Sequence, residues 1–261
     1  MKLQIVGGGK MGEALLGGVL SSGWATPEEV LVVEPSAERR NELAATHDGV
    51  HVVEAVHDGI DAIIAVKPQY VAEVTAALGT ALAPRILSVA AGVTIASMEA
   101  AAPAARIVRC MPNTPALVGE GASAIAGGTL ADDADLAWAE SILGAVGLVV
   151  RVDEVDIDAV TGLSGSGPAY VFHLAEALIA AGIAQGLTPE VADILARQTL
   201  LGASKLLTES GEDPAVLRQN VTSPGGTTAA GLAVFADADF EGIVQRVVDA
   251  AVARSIELGQ S

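Results

Sequence analysis

Short runs of apolar and β-branched residues recur along the first 152 positions, separated by more polar helical stretches. The runs are LQIV at 3–6, VLVV at 30–33, VHVV at 50–53, AIIAV at 62–66, RILSVA at 85–90, ARIVRC at 105–110 and LVVRV at 148–152. Several are apolar on both faces, as is typical of parallel strands covered by helices on each side of a sheet. The alternation predicts an α/β, Rossmann-type doubly wound sheet over residues 1–152.

The second half of the chain has a different pattern. After Val152 the strand signal stops, and stretches rich in Ala, Leu, Ile and Glu take over. A polar capping residue followed by proline predicts helix starts at Thr188-Pro189-Glu190, Asp213-Pro214 and Ser223-Pro224. Residues 153–261 are therefore predicted to form an all-α domain.

One helical stretch, residues 155–184, is apolar around most of its circumference, which predicts a helix buried on all sides. An all-helical half with so few charges would bury this surface poorly by itself. We therefore expect it to pack against a second copy, as a homodimer or as a higher homo-oligomer built from dimers.

Charge limits the partners. The chain has 32 acidic and 14 basic residues and a formal net charge of −18, which opposes a nucleic-acid backbone or an anionic membrane surface. Gly, Pro or charge interrupts the apolar runs before they reach the ~18 residues that a membrane span needs. The sequence predicts neither a nucleic-acid partner nor a membrane segment. It also predicts no metal site, because the four histidines lack ligand spacing.

The expected setting is a reducing cytoplasm. A single cysteine, Cys110, excludes an internal disulfide, and the first residues show no signal-peptide pattern. An acidic, lysine-poor surface stays hydrated in concentrated salt, which suggests the hypothesis of a high-salt cytoplasm with an acidic proteome.

The first strand is followed by Gly7-Gly8-Gly9-Lys10-Met11-Gly12. This spacing gives a tight turn, close backbone approach for a pyrophosphate and close packing of helix on strand. A plain connection between strand and helix is the alternative. The position between the first strand and the first helix favours a dinucleotide site at the helix N-terminus.

Glu34 ends the second strand, where an acidic side chain normally binds the ribose 2′-hydroxyl and favours NAD over its phosphorylated form. Ser36, Arg39 and Arg40 follow at once and are suited to a 2′-phosphate. Alternatively, Glu34 is a solvated strand end and the arginines lie on a surface helix. The cofactor preference therefore stays open at this stage.

Two further strand ends are candidate cofactor contacts, because ligands bind at the carboxyl ends of strands in open α/β sheets. These are Ala65-Val66-Lys67-Pro68 and Ala90-Ala91-Gly92. Alternatively, Lys67 is simply solvated at a strand end, and Ala90-Ala91-Gly92 is an ordinary turn of small residues. A third loop, residues 111–115, carries polar Asn113 and Thr114 between prolines and either positions a substrate or makes a turn.

Two glycine-rich runs stand out in the helical half. In Ser223-Pro224-Gly225-Gly226-Thr227-Thr228, Ser223 is predicted to cap a helix whose bared first amides bind a small carboxylate. A tightly packed neighbour is the alternative. The run from Thr161 to Tyr170, TGLSGSGPAY, either admits a ligand or permits two helices to cross in a dimer.

Taken together, the motifs GGGKMG, AVKP, AAG, RCMPNTP, TGLSGSGPAY and SPGGTT resemble those of the pyrroline-5-carboxylate reductases, in matching order and over essentially the whole chain. The resemblance implies a Rossmann domain that binds NADPH, or NADH, and a helical domain through which two subunits interlock. It implies reduction of 1-pyrroline-5-carboxylate to L-proline, the last step of proline biosynthesis.

The resemblance also implies residue roles. The cofactor would contact Gly7 to Gly12, Ala65 to Pro68, Ala90 to Gly92 and Asn220. The amides of Gly225, Gly226 and Thr227 would anchor the substrate carboxylate at the helix terminus that begins with Ser223, with Ser164 and Ser166 nearby. The Thr228 hydroxyl would reach the ring nitrogen, which makes Thr228 the candidate catalytic residue.

Three positions depart from the family pattern. Lys10 replaces asparagine or another neutral residue, Val52 replaces a cofactor-contacting asparagine, and Glu34 replaces a small polar residue. These departures put the adenosine-side contacts and the NADPH preference in doubt. The rival functions are a related imine or hydroxy-acid dehydrogenase and a non-catalytic dinucleotide-binding sensor.

Overall fold

The computed structural model describes residues 1–79 and 84–259. The strands are Leu3–Val6 (β1), Val30–Val33 (β2), His51–Val53 (β3), Ala62–Ile64 (β4), Arg85–Ser88 (β5), Arg106–Met111 (β6), Gly121–Gly127 (β7) and Gly147–Arg151 (β8). They form one sheet in the order β3-β2-β1-β4-β5-β6-β7-β8, in which only the β6–β7 pair is antiparallel. This sheet confirms the predicted α/β, Rossmann-type fold.

Helices cover both faces of the sheet. The helices between strands are Lys10–Ser21 (α1), Ala37–Thr46 (α2), Val71–Leu78 (α3), Ile95–Ala101 (α4) and Asp133–Leu143 (α5). The side chains of β1 alternate between two buried clusters: Leu3 and Ile5 join one, and Val6 joins the other. Both faces are therefore core, and the carboxyl strand ends are left to form a ligand site.

The sequence prediction missed β7. Gly121–Gly127 reads GASAIAG and contains one β-branched residue, Ile125, whereas Gly and Ala are poor strand formers. The strand is held by its neighbours, antiparallel to β6 and parallel to β8. Pairing on both sides overrides local propensity here.

The chain divides into two compact units. The first contains residues 1–166 together with the chain from Ala250 onward, and the second is Gly167–Asp249. Secondary structure changes from strand to helix near residue 152, but the first unit extends beyond that point. One link is the Ser255 hydroxyl, which donates to the Asp158 carboxylate at 2.6 Å.

The remaining helices are Ile157–Val160 (α6), Gly167–Ala184 (α7), Pro189–Ser210 (α8), Pro214–Asn220 (α9), Thr227–Asp237 (α10) and Phe240–Gly259 (α11). Two predicted helix starts are confirmed. Thr188 accepts a hydrogen bond from the Val191 amide at 3.3 Å, and Asp213 accepts one from the Ala215 amide at 2.7 Å. Each side chain satisfies one of the amides that a helix start leaves unpaired.

The prediction that residues 155–184 are buried on all sides is wrong for the single chain. The structure has no buried residue in α7, and Phe172 is 62% exposed. Much of the apolar surface of α7 is exposed in the single chain. Soluble proteins cover such surfaces by association.

One helical run, Glu154–Ala184, is long and apolar enough to cross a membrane, with a mean hydropathy of 1.3 over 18 residues. The glycines and proline near residue 165 do not end this run as the sequence analysis expected, because a π-helical turn accommodates them. Length and composition alone are weak evidence, since apolar helices of soluble proteins pass the same test.

Candidate functional site

The glycine turn after β1 requires glycine at two positions. Gly7 has φ +110°, and a Cβ there would lie 2.6 Å from the Ala65 carbonyl oxygen. A Cβ on Gly12 would overlap the Gly7 carbonyl oxygen. These positions bring the turn, α1 and the end of β4 into close contact.

Gly9 has a different role in the same turn. A Cβ at Gly9 would meet nothing within 4 Å, and Gly9 is the N-cap of α1 without a side-chain capping bond. The helix start thus faces open space with its first amides uncapped. An anion fits there, because the amides and the helix dipole both favour negative charge. These residues therefore suit a dinucleotide pyrophosphate. Lys10 begins the helix and is exposed.

The carboxylate of Glu34 binds into the glycine turn. It accepts hydrogen bonds from the Gly8 amide at 3.0 Å and the Ser36 amide at 2.9 Å. The Gly8 amide is therefore already engaged. The end of β2 and the turn form one unit that places a negative charge where the adenosine ribose of a dinucleotide binds in this fold.

Arg39 and Ser36 are also engaged within the chain. The Arg39 guanidinium donates to the Gly8 carbonyl at 2.8 Å and to the Glu13 carboxylate. Hydrogen bonding from Arg39 lowers the pKa of Glu13 from its usual value, and a bond to His47 acts in the same direction. Ser36 caps α2 by accepting from the Arg39 amide at 3.3 Å. The arginine thus braces α1 against α2.

The carboxyl ends of β4, β5 and β6 surround a cavity of about 310 Å³. Its wall includes the strand-end residues predicted from sequence and the loop after β6. The lining residues are Met11, Ala65, Val66, Pro68, Val89, Ala90, Ala91, Met111, Pro112, Asn113, Thr114 and Gly165. The structure therefore brings the first-helix, AVKP and AAG motifs to one cavity.

Two residues of the predicted strand-end motifs, Lys67 and Gly92, do not line this cavity. Lys67 is the N-cap of the short 3₁₀ turn Pro68–Tyr70. Gly92 has φ +74°, and a Cβ there would lie 3.5 Å from the Cβ of Leu258 in α11. Gly92 thus shapes the turn after β5, while Ala90 and Ala91 form the cavity wall.

A π-helical turn, Thr161–Gly165, closes another side of the cavity. A Cβ on Gly165 would overlap Met111 Cε, so glycine lets the turn lie against the end of β6. The Ser164 hydroxyl donates to the Val160 carbonyl at 3.2 Å. π-Helical turns occur frequently at functional sites.

The second unit holds the SPGGTT run, and the predicted helix start is wrong there. Helix α10 begins at Thr227 with Gly226 as N-cap, so Ser223 does not cap it. Ser223 to Gly226 instead form a turn, with the Gly226 amide donating to the Ser223 carbonyl at 3.0 Å. Gly225 has φ +71°, the third-position conformation of a type II turn with Pro224 second.

The observed start of α10 still leaves the first amides of the helix without a side-chain cap. Thr227 and Thr228 are the first residues of α10, and no side chain caps its start. Asn220 is the last residue of α9, and it precedes the Ser223–Gly226 turn by three positions. The end of α9, the Ser223–Gly226 turn and the start of α10 are consecutive in the sequence of the second unit. The uncapped amides at the start of α10 are suited to bind a carboxylate.

Comparison with known proteins relates the whole chain to one family. A model described as pyrroline-5-carboxylate reductase dimerisation matches residues 154–258, and one described as NADP oxidoreductase coenzyme F420-dependent matches residues 2–112. A pyrroline-5-carboxylate reductase of Synechocystis is 44% identical, covering 100% of this chain and 99% of its own. The chain belongs to the pyrroline-5-carboxylate reductase family.

Solved structures of this family agree with the fold. The pyrroline-5-carboxylate reductase of Coxiella burnetii is 34% identical with a TM-score of 0.92, covering 100% of this chain and 99% of its own. A Plasmodium falciparum pyrroline carboxylate reductase with NADP bound is 29% identical with a TM-score of 0.85, covering 99% and 98%. The family resemblance carried by the sequence motifs is confirmed.

Several cavity residues of this reductase-family chain were absent from the predicted site. Val89, Met111, Pro112 and Thr114 line the cavity. So does Asn113. Residues 111–115 were interpreted from sequence either as a loop that positions a substrate or as a turn, and the structure places this loop at the cavity. The useful signal was position, because each of these residues lies at or just after the carboxyl end of a strand. Among the described residues, no group of three or more His, Cys, Asp or Glu is placed to hold a metal.

Proposed function

We propose that the chain reduces 1-pyrroline-5-carboxylate to L-proline with NADPH, with NADH as a second hydride donor. The observation that carries the proposal is the full-length relationship to pyrroline-5-carboxylate reductases, at 44% identity to the Synechocystis protein. The NADP-bound Plasmodium relative and the NADP oxidoreductase model support NADPH. The open helix start at Gly9 supports a bound pyrophosphate.

In the proposed mechanism, a bound nicotinamide supplies hydride to the carbon of the C=N bond. The α1 start, with Gly7, Gly9 and Gly12 in its turn, binds the pyrophosphate. Ala65, Val66, Ala90 and Ala91 shape an apolar wall that admits a planar ring and excludes water. Alignment within this cavity supplies much of the acceleration.

The second unit supplies most of the substrate contacts in this proposal. The amides of Gly225, Gly226 and Thr227 bind the carboxylate, and Ser223 adds a hydroxyl group. Ser164, which belongs to the first unit, is proposed as a further substrate contact. The Thr228 hydroxyl hydrogen-bonds the ring nitrogen. An imine already protonated in solution needs no further proton, so Thr228 orients it while the nitrogen lone pair is regenerated on reduction. Asn220 is proposed as a further cofactor contact.

Steady-state kinetics with 1-pyrroline-5-carboxylate and each cofactor tests the proposal. Rapid NADPH oxidation, with product identified as L-proline, supports it. Preference for another imine or a hydroxy acid would assign the chain to a related dehydrogenase. NADPH binding without turnover of any of these substrates would indicate a sensor.

Replacing Glu34 with glutamine is expected to shift cofactor preference toward NADPH. The substitution keeps the size of the side chain but removes one negative charge from the ribose end of the site. The ratio of the NADPH Kd to the NADH Kd should fall by about tenfold, or ~1.4 kcal/mol. Fluorescence titration of each cofactor measures both constants. The matched control is Glu73→Gln on α3, and an equal change there would reject a specific role for Glu34.

We also propose a homodimer, or larger assemblies built from dimers, formed through the helical unit. Phe172 on α7 is 62% exposed in one chain. Phe172→Glu is expected to convert a species of twice the 26.1 kDa chain mass into monomer, because a buried charge without a partner is costly. Sedimentation velocity at micromolar concentration measures this. Val118→Glu places the same change on a 76% exposed site outside that unit and should leave the dimer intact. A parent protein that sediments as monomer would reject the dimer.

We further propose a reducing, high-salt cytoplasm as the setting, without a nucleic-acid or membrane partner. Support comes from the net charge of −18 and from the single cysteine. Salt screens repulsion among acidic side chains, so the melting temperature should rise by several degrees between dilute buffer and molar KCl. Scanning calorimetry across salt concentrations tests this. A melting temperature and activity that are highest near zero salt would contradict it.

A further inference from the structure

Asn113 makes two long-range hydrogen bonds at the cavity. Its Nδ2 donates to the Ser164 carbonyl at 3.1 Å, and its Oδ1 accepts from the Ala122 amide at 2.9 Å. One carboxamide therefore joins the loop after β6 to the start of β7 and to the π-helical turn. Asn113 itself lines the cavity, so one side chain both forms part of the wall and connects these three segments.

From its position in the chain, Asn113 would be expected to form a local hydrogen bond rather than these long-range ones. It is the N-cap of the 3₁₀ turn Thr114–Val118, a position where asparagine commonly caps the turn through its own side chain. No such capping bond is present. The carboxamide is instead committed to partners 9 and 51 residues away.

Pro168 explains why the Ser164 carbonyl needs this donor. In a helix that carbonyl would accept from the amide four residues later, and residue 168 is proline, which has no N–H. Asn113 Nδ2 takes the place of the missing donor. The bond therefore joins the π-helical turn to the loop after β6 at a carbonyl whose α-helical hydrogen bond cannot form.

The π-helical turn matters because Gly165, beside Ser164, lines the cavity and packs closely against the end of the Met111 side chain. We propose that Asn113 is a positioning residue of the reductase site, which fixes the Thr161–Gly165 turn and with it the shape of the substrate end of the cavity. The proposal deepens the function proposed above and rests on it.

Asn113→Asp provides the test. An aspartate still accepts from the Ala122 amide, but it donates to the Ser164 carbonyl only when protonated. At pH 8 the variant's kcat/KM is expected to be about 10- to 100-fold below that of the parent. Because the parent is measured at each pH, dividing by its activity removes the titration of the substrate. The ratio should recover as pH falls toward 5, whereas Asn113→Ala should show no recovery.

Three further measurements keep the outcome decisive. The NADPH Kd, followed by fluorescence titration, should change less than the KM for 1-pyrroline-5-carboxylate. Pro168→Ala restores an N–H at residue 168 and should recover part of the activity lost in Asn113→Ala. The matched control is Asn41→Asp on the exposed side of α2, which should match the parent at every pH.

Hydrogen exchange separates this inference from the proposed function. The amides of residues 161–166 should exchange faster in Asn113→Ala than in the parent, whether or not the parent reduces 1-pyrroline-5-carboxylate. A parent without reductase activity but with this exchange difference would reject only the proposed function. Unchanged exchange, or a loss in Asn113→Asp that does not depend on pH, would overturn the role of Asn113.

Discussion

Gly12→Ala is expected to weaken NADPH binding by at least ~100-fold, or about 2.7 kcal/mol. The added Cβ would overlap the Gly7 carbonyl oxygen, so α1 must move away from the glycine turn that precedes it. That movement displaces the uncapped amides at the helix start, which bind the pyrophosphate in the proposed site. Isothermal titration calorimetry with NADPH measures the loss, and circular dichroism establishes that the variant is folded.

Gly17→Ala is the matched control for this experiment. Gly17 lies on the same helix, and a Cβ there meets nothing within 4 Å. Alanine is the better helix former, so this variant should bind NADPH as the parent does and melt at a slightly higher temperature. Equal binding by the Gly12 variant and the parent would show that the turn does not hold the dinucleotide.

Thr228→Ala is expected to lower kcat with 1-pyrroline-5-carboxylate by about 100-fold, the loss that a misplacement of the reacting atoms by ~1 Å can cause. Thr228 is the second residue of α10, beside the uncapped amides proposed to hold the substrate carboxylate. Loss of the hydroxyl would leave the ring nitrogen without the hydrogen-bond partner proposed for it. Steady-state kinetics at saturating NADPH measures kcat and KM separately.

Thr228→Ser retains the hydroxyl and should keep most of the activity, which distinguishes the loss of a hydrogen bond from a change in packing. Thr208→Ala on the exposed surface of α8 makes the same change away from the proposed site and should have no effect. If Thr228→Ala left both kcat and KM at the parent values, Thr228 would have no part in the reaction.

The strands that the sequence predicted well are those with enough β-branched residues to define them locally. β1 and β2 lie at the predicted positions, whereas β7, with only Ile125 of that type, was missed. Ser223-Pro224 was misread because serine before proline is typical of a helix start. The φ of Gly225 turns the chain there, and the helix begins three residues after Pro224.

The candidate site was predictable where it depends on neighbours in sequence. The glycine spacing and the strand ends at Ala65 and Ala90 could be identified because their geometry is local. The bonds of Asn113 to Ser164, and of Glu34 to Gly8, join residues 51 and 26 positions apart, and nothing local specifies them. Pro168 was the one available signal, since it implies a carbonyl in need of another donor.

The last described turns of α11 belong to the unit that begins at residue 1, and the second unit lies between them in sequence. Ser255 bonds Asp158, and Leu258 lies over Gly92 next to the cavity wall. During synthesis on the ribosome, the dinucleotide-binding unit therefore cannot complete its folding when its sheet emerges. It must wait until all of residues 167–249 have been translated, which delays the finished cofactor site until the helices of the second unit have also been made.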